Sequence, residues 1–186
     1  MLAQNSPEPC GMLTLSEIAR HTALGVGVEE RAVFNQLRGL QQRGHLRATR
    51  VVDGVQRYAF AEQVLARVMI AAVDADVRGS DVALVEDALR NGRRLAEPLD
   101  DFGGINLEAN LPRMRRGEDW VIEIGRHRYC GEKFSTAQWV RREAGGRLER
   151  FADRYAAPLL MPYAPPETRL IIEVSRIAAP MFGGAC

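Results

Sequence analysis

The sequence predicts an α+β chain: an N-terminal part with paired helices and one hairpin, then a small C-terminal α+β part. Three observations lead there. Two stretches between residues 15 and 43 carry apolar residues at helical spacing, with glycines between them. An Asp53-Gly54 pair divides two runs rich in β-formers. Beyond an irregular stretch at 93–112, the apolar residues alternate or fall into short runs. A length of 186 residues admits one medium domain or two small ones. A hydrophobic share of 46% with 26% charged residues excludes a disordered or fibrous class.

Taken in order, residues 1–11 (MLAQNSPEPCG) read as a flexible tail. Leu15-Ser16-Glu17-Ile18-Ala19-Arg20 predicts a short capped helix, and Gly25 and Gly27 predict a tight turn over Ala23–Val28. A longer helix from Glu29 to Arg43 follows, with Val33, Leu37 and Leu40 as its core stripe and Phe34 beside it, closing on Gly44-His45-Leu46. Strands Leu46–Val52 and Val55–Phe60 flank the Asp53-Gly54 turn. A helix over 61–76 shows Val64, Leu65, Val68 and Ala72 on one face. Another starts at Ser80 as N-cap, with Asp81 in its first turn and Val82, Val85 and Leu89 along one side, and stops near Asn91-Gly92. Helix, turn, helix and hairpin together are the parts of a winged helix-turn-helix, so residues 12–92 are expected to form that domain with two following helices.

Pro98, Asp100-Asp101, Gly103-Gly104 and Pro112 mark 93–112 as a linker. The remainder, 113–186, is expected to be an α+β domain for dimerisation or effector binding. Its expected elements are a strand Asp119–Ile124, a turn at Gly125 and a strand Arg128–Cys130. A helix capped by Ser135 and carrying Trp139 and Val140 comes next, broken at Gly145-Gly146, then a helical turn over Leu148–Tyr155. Arg169–Ser175 is the best strand of the chain; it either joins the sheet or pairs across a two-fold axis. Trp120, Trp139 and Tyr163 fit core positions better than a ligand pocket.

Net charge is +1 but uneven: seven Arg face four acids over 12–60, five face ten over 61–110, and eleven basic residues face seven acids over 111–160. All basic residues but Lys133 are Arg, a bias that a high-GC genome explains better than selection for phosphate binding does. Position is more informative. On the helix from Glu29, Arg31, Asn35, Arg38 and Gln42 recur at four, three and four residues, opposite the core stripe and without an acid among them. Arg matches the O6/N7 edge of guanine, and Asn or Gln the N6/N7 edge of adenine. Arg47, Arg50 and Arg57 on the hairpin suit phosphates or the minor groove. A plain solvated face is the competing reading of the same residues. Glu29 and Glu30 favour the helix dipole but would repel phosphate. His21 and His45 fit surface or helix-end positions.

Several of these segments resemble one family in order. Leu15-Ser16-Glu17-Ile18-Ala19-Arg20 resembles the opening of MerR-type regulators. Arg57-Tyr58 with Glu62 and Leu65-x-x-Val68 is similar to the end of their wing, and Val77-Arg78-Gly79-Ser80-Asp81-Val82 with Val85 and Leu89 to their next helix. The resemblance spans roughly residues 13–90. The chain departs from the family in its extended second helix, which lacks the aromatic pair, in having no long coiled coil, and in its cysteine placement. The resemblance implies a winged-helix fold and DNA contact, and neither metal sensing nor promoter distortion.

The expected function is a sequence-specific DNA-binding transcriptional regulator of bacterial or phage type. Helix 29–43 would read the major groove of double-stranded DNA, and wing 46–60 would touch the backbone or minor groove. A homodimer is expected because such regulators read two half-sites. The alternatives are a DNA-packaging or architectural component like a phage small terminase subunit, and a winged-helix module that binds protein. No catalytic residue and no cofactor is expected: P-loop, HExxH and GxSxG are absent, and Gly25-Val26-Gly27 lacks the third Gly and the preceding strand of a dinucleotide site. Glu132 and Lys133 beside Cys130 make no catalytic set, His127-x-x-Cys130 has no second pair to complete a metal site, and nothing specifies a small-molecule effector. Cys10, Cys130 and Cys186, scattered and odd in number, fit a reducing cytoplasm. The first residues lack the basic start and apolar core of a signal peptide. No membrane span is expected, since Arg67, Asp74 and Asp76 interrupt Val64–Val77.

Overall fold

A computed structural model describes residues 11–92, 104–129, 131–150 and 166–182. Those residues form a mixed α+β structure with six helices, a two-stranded sheet and a four-stranded sheet, both antiparallel. They fall into two compact units that divide between Gln63 and Val64. This differs from the expected grouping of 12–92 with a linker at 93–112.

In the first unit, α1 (Leu15–Val26) starts from a capping box. The Glu17 N–H donates to Thr14 Oγ1 at 3.2 Å, and the Thr14 N–H donates to Glu17 Oε2 at 2.7 Å. The helix is longer than expected because Gly25 stays helical. Gly27, at φ 69°, is the left-handed residue that ends it, its N–H donating to the Ala23 carbonyl. Helix α2 (Glu30–Gln42) buries Val33, Leu37 and Leu40 as its spacing predicts. These meet Ile18, Ala19, Ala23, Leu46 and Tyr58 in the buried set of this unit. The hairpin is shorter than expected: β1 is Arg50–Val52 and β2 is Val55–Arg57, with Val52 opposite Val55. Asp53 and Gly54 both have positive φ, which the tight hairpin turn requires. Leu13 pairs with Tyr58 through two backbone hydrogen bonds of 3.1 and 2.8 Å, so the segment before α1 is stitched to the hairpin's end.

Helix α3 (Phe60–Asp74) matches the expected 61–76 within two residues, and from Val64 to Ala72 it is buried on nearly every side. Helix α4 (Ser80–Arg90) buries Val82, Val85, Ala88 and Leu89. Its N-cap is Gly79, not Ser80, and no side chain caps it. Within 93–112, residues 93–103 lie outside the described residues, and the rest is largely helix: α5 (Leu107–Arg115), capped by Asn106, passes through Pro112. Pro112 forfeits one helical hydrogen bond. Buried Arg113 offsets that loss by donating to the Gly104 carbonyl and to Asn110 Oδ1 and lying 5.6 Å over the Trp120 ring.

The second unit's sheet has the order β5-β4-β3-β6 and corrects four expectations. Strand β3 (Asp119–Tyr129) runs straight through Gly125, so Asp119–Ile124 and Arg128 belong to one strand. Gly125 serves close packing instead of a turn: an added Cβ would stand 2.8 Å from His127 Nε2 and 3.0 Å from Thr136 Oγ1. Strand β4 (Glu132–Arg142) replaces the helix expected from Ser135, and pairing with β3 along its whole length overrides the capping signal. Leu148–Arg150 is β5, an edge strand and not helix, while 151–155 lie outside the described residues. Strand β6 (Thr168–Ile172) joins the sheet beside β3, and α6 (Val174–Phe182) begins before Ser175. Trp120 and Trp139 are buried, and the Trp139 indole donates to the Ala88 carbonyl at 2.7 Å, which ties α4 to the sheet. Tyr163 lies outside the described residues.

Candidate nucleic-acid interface

The site is built on the first unit. Burial of Val33, Leu37 and Leu40 fixes the rotation of α2 and leaves Arg31, Asn35, Arg38 and Gln42 exposed in one stripe on the opposite side. From Arg31 to Gln42 the stripe is roughly 16 Å long at 1.5 Å per residue, enough to follow several base steps of a major groove. Arg43, next after the helix, is also exposed, and its guanidinium lies over Gly39, where an added Cβ would stand 3.5 Å from Nη1. Sequence reasoning passed over Arg43 because it falls off the four-three-four spacing.

The hairpin is positioned by three sets of contacts. Gln41 donates its amide to Gln56 Oε1, which also accepts the Tyr58 hydroxyl at 3.0 Å, so the hairpin is held to the last turns of α2. The Arg47 N–H donates to Glu62 Oε1 at 2.6 Å, and the Ala59 N–H donates to Thr49 Oγ1 at 2.9 Å. Gln63 donates to the Tyr58 carbonyl at 2.9 Å, which fixes the exit into α3. Apart from Gln56 with Tyr58 and Gln63 with Tyr58, these pairs join residues 10 to 15 positions apart, so no spacing rule points to them.

The seven expected contact residues therefore differ in their surroundings. Arg31, Asn35, Arg38, Gln42, Arg47 and Arg50 are exposed. Arg57 is half-buried and directed to α1, with Nη1 3.4 Å from Glu17 Oε2. Arg50 and Arg57 sit directly across the hairpin from each other, a like-charge pair that Glu17 relieves. The backbone and hydroxyl of Thr14, more than the arginines, hold the Glu17 carboxyl below the usual carboxylate value, with Arg57 and Arg20 adding to it. Glu30 lies 3.7 Å from Arg20, an exposed pair that partly neutralises the acid at the head of α2. Arg31, Arg38, Arg43 and Arg50 have no acidic partner among the described residues.

Among the described residues, no three His, Cys, Asp or Glu side chains stand together as a metal site, and no helix is long and apolar enough to cross a membrane. Cys10, Cys130 and Cys186 lie outside the described residues. No family model, curated protein or solved structure matches the chain.

Proposed function

We propose that the chain is a sequence-specific, double-stranded-DNA-binding regulator whose first unit is a winged helix-turn-helix. One observation carries this reading: α2 exposes Arg31, Asn35, Arg38 and Gln42 as an acid-free stripe opposite its buried face, and its arginines have no acidic partner among the described residues. A guanidinium left solvated is available for a bidentate contact with guanine or a phosphate, whereas one engaged by a carboxylate must first be released. Arg50 and Arg47 are the wing's candidates for the DNA backbone. Arg57 acts through its bond to Glu17 as a positioning residue. The MerR-type resemblance is carried only as far as the winged helix and its DNA contact, and a homodimer reading two half-sites belongs to the same proposal.

The test is selection of bound sequences from random duplex DNA by the full chain at a fixed salt concentration, followed by titration of the enriched site. The expected result is an enriched motif bound about 10³-fold or more tightly than unrelated duplex. No enrichment, with equal affinity for every duplex, would leave the stripe as a solvated surface and reject the proposal.

A further inference from the structure

We propose a second, separate site in the C-terminal unit: a pocket for the phosphate group of a small organic phosphate. A cavity of about 370 Å³ opens between the first turn of α4 and the adjoining ends of β3, β4 and β6. Three cations line it, Arg126, Arg128 and Lys133, together with the hydroxyl residues Ser80, Ser135 and Thr168. The strand register explains the grouping. Arg126 lies opposite Ser135 on one side and Thr168 on the other, and Arg128 lies opposite Lys133. Strand alternation then puts all five on one face of the sheet.

Two features separate this cluster from the structural arginines nearby. The acids at the cavity hold their arginines loosely: Arg126 Nε is 3.4 Å from Asp81 Oδ2, and Arg128 Nε is 3.4 Å from Glu167 Oε1, with both arginines exposed. On the same sheet, Arg142 grips Glu173 with two bonds of 2.8 and 2.6 Å. The Arg128–Glu167 pair is exposed on both sides and adds little energy, so an arriving dianion can displace Glu167; Arg126 keeps an exposed side of its guanidinium for the dianion while Asp81, mostly buried, stays beside it. The second feature is Lys133, the single lysine of the chain. It is exposed and has no ionic partner among the described residues. A compact ammonium with three donors suits a phosphate as a point charge. The cavity volume accommodates the phosphate with a few attached carbons.

The proposal does not rest on DNA binding, and its main titration uses no DNA. The full chain is titrated calorimetrically with inorganic phosphate and with glycerol 3-phosphate, at ionic strength held constant with chloride. The expected result is saturable one-site binding, tighter for the ester, with a dissociation constant of about 1 mM or below. K133M and R128Q each weaken it about tenfold, the loss of one charge-assisted hydrogen bond. R176Q, which removes an exposed charge elsewhere in the unit, leaves it unchanged. E167Q frees Arg128 from its carboxylate and tightens binding, a gain that misfolding cannot imitate. Absence of saturation, or equal affinity in K133M and the parent, overturns the proposal. So does a K133M variant that loses affinity for duplex DNA while the parent binds neither small phosphate, since the cluster would then contact the nucleic-acid backbone.

Discussion

Arginine has different surroundings in the two units. In the second unit ten described arginines have an acidic partner, and the strongest are bidentate: Arg150 binds buried Glu123 at 2.8 and 2.7 Å, and Arg142 binds Glu173 at 2.8 and 2.6 Å. In the first unit Arg20 and Arg57 pair with acids, while Arg31, Arg38, Arg43 and Arg50 have no acidic partner among the described residues. A compositional bias towards Arg would act on both units alike. The difference lies in where the acids were placed: most described arginines of the second unit have a carboxylate within reach, and the four of the first unit that have none among the described residues include Arg31, Arg38 and Arg50, on which the proposed function draws.

The largest expected effect comes from breaking the first unit's side of the comparison. N35A/R38A together lower affinity for the cognate duplex about 100-fold or more, at 1–3 kcal/mol for each lost base contact, with folding unchanged by circular dichroism. On the other side, E123Q destabilises the second unit by about 2 kcal/mol in urea unfolding. This is less than the ~3–5 kcal/mol of a fully buried pair, because Arg150 retains 35% exposure. E123Q leaves DNA affinity unaltered.

Removing the α1 cap by T14A costs about 1 kcal/mol in the same unfolding measurement, and lowers DNA affinity only through stability. Acid titration gives a smaller and graded effect. Arg150 holds the Glu123 carboxyl below its usual value, aided by Gln138 and Arg169, and Thr14 does the same for Glu17. A depressed carboxylate pKa contributes stability that is fully present above the unfolded-state value near about 4 and lost as pH falls through the lower folded value. Stability is therefore flat across neutrality and declines on acidification below about pH 4. The decline is shallower in E123Q. The smallest expected change is that of R57Q, which reduces DNA affinity about threefold through the position of the β1–β2 hairpin, without the loss of discrimination expected of N35A/R38A.

What was legible in the sequence follows the range of the interactions. Helix α2 could be read because its stripe is set by 3.6-residue periodicity, and the first hairpin because Asp53-Gly54 supplies two positive-φ residues within four positions. The β3–β4 hairpin could not. Gly125 and Ser135 carry turn and cap signals, and both are overruled by eleven-residue strands that pair along their length. Pro112 misled for a similar reason, since its helix is held by Arg113 reaching Gly104 and Trp120. At the candidate interface, the exposure of Arg31, Asn35, Arg38 and Gln42 was readable from spacing. The diversion of Arg57 to Glu17 and the Gln41–Gln56 bond join residues 40 and 15 positions apart, and no local pattern encodes them.

The most direct test of the account is the salt dependence of DNA binding by the full chain, compared between R31Q/R38Q/R50Q and R142Q. Each phosphate contact contributes about 0.9 to the slope of log affinity against log salt. The triple variant is expected to flatten that slope by about 1, the share of the Arg50 backbone contact, and to lower affinity at every salt concentration through the base contacts of Arg31 and Arg38; R142Q, whose charge is already occupied by Glu173 and Asp119, is expected to leave the slope unchanged. Equal slopes for the triple variant and the parent would contradict the assignment of the first unit's unpaired arginines to nucleic acid.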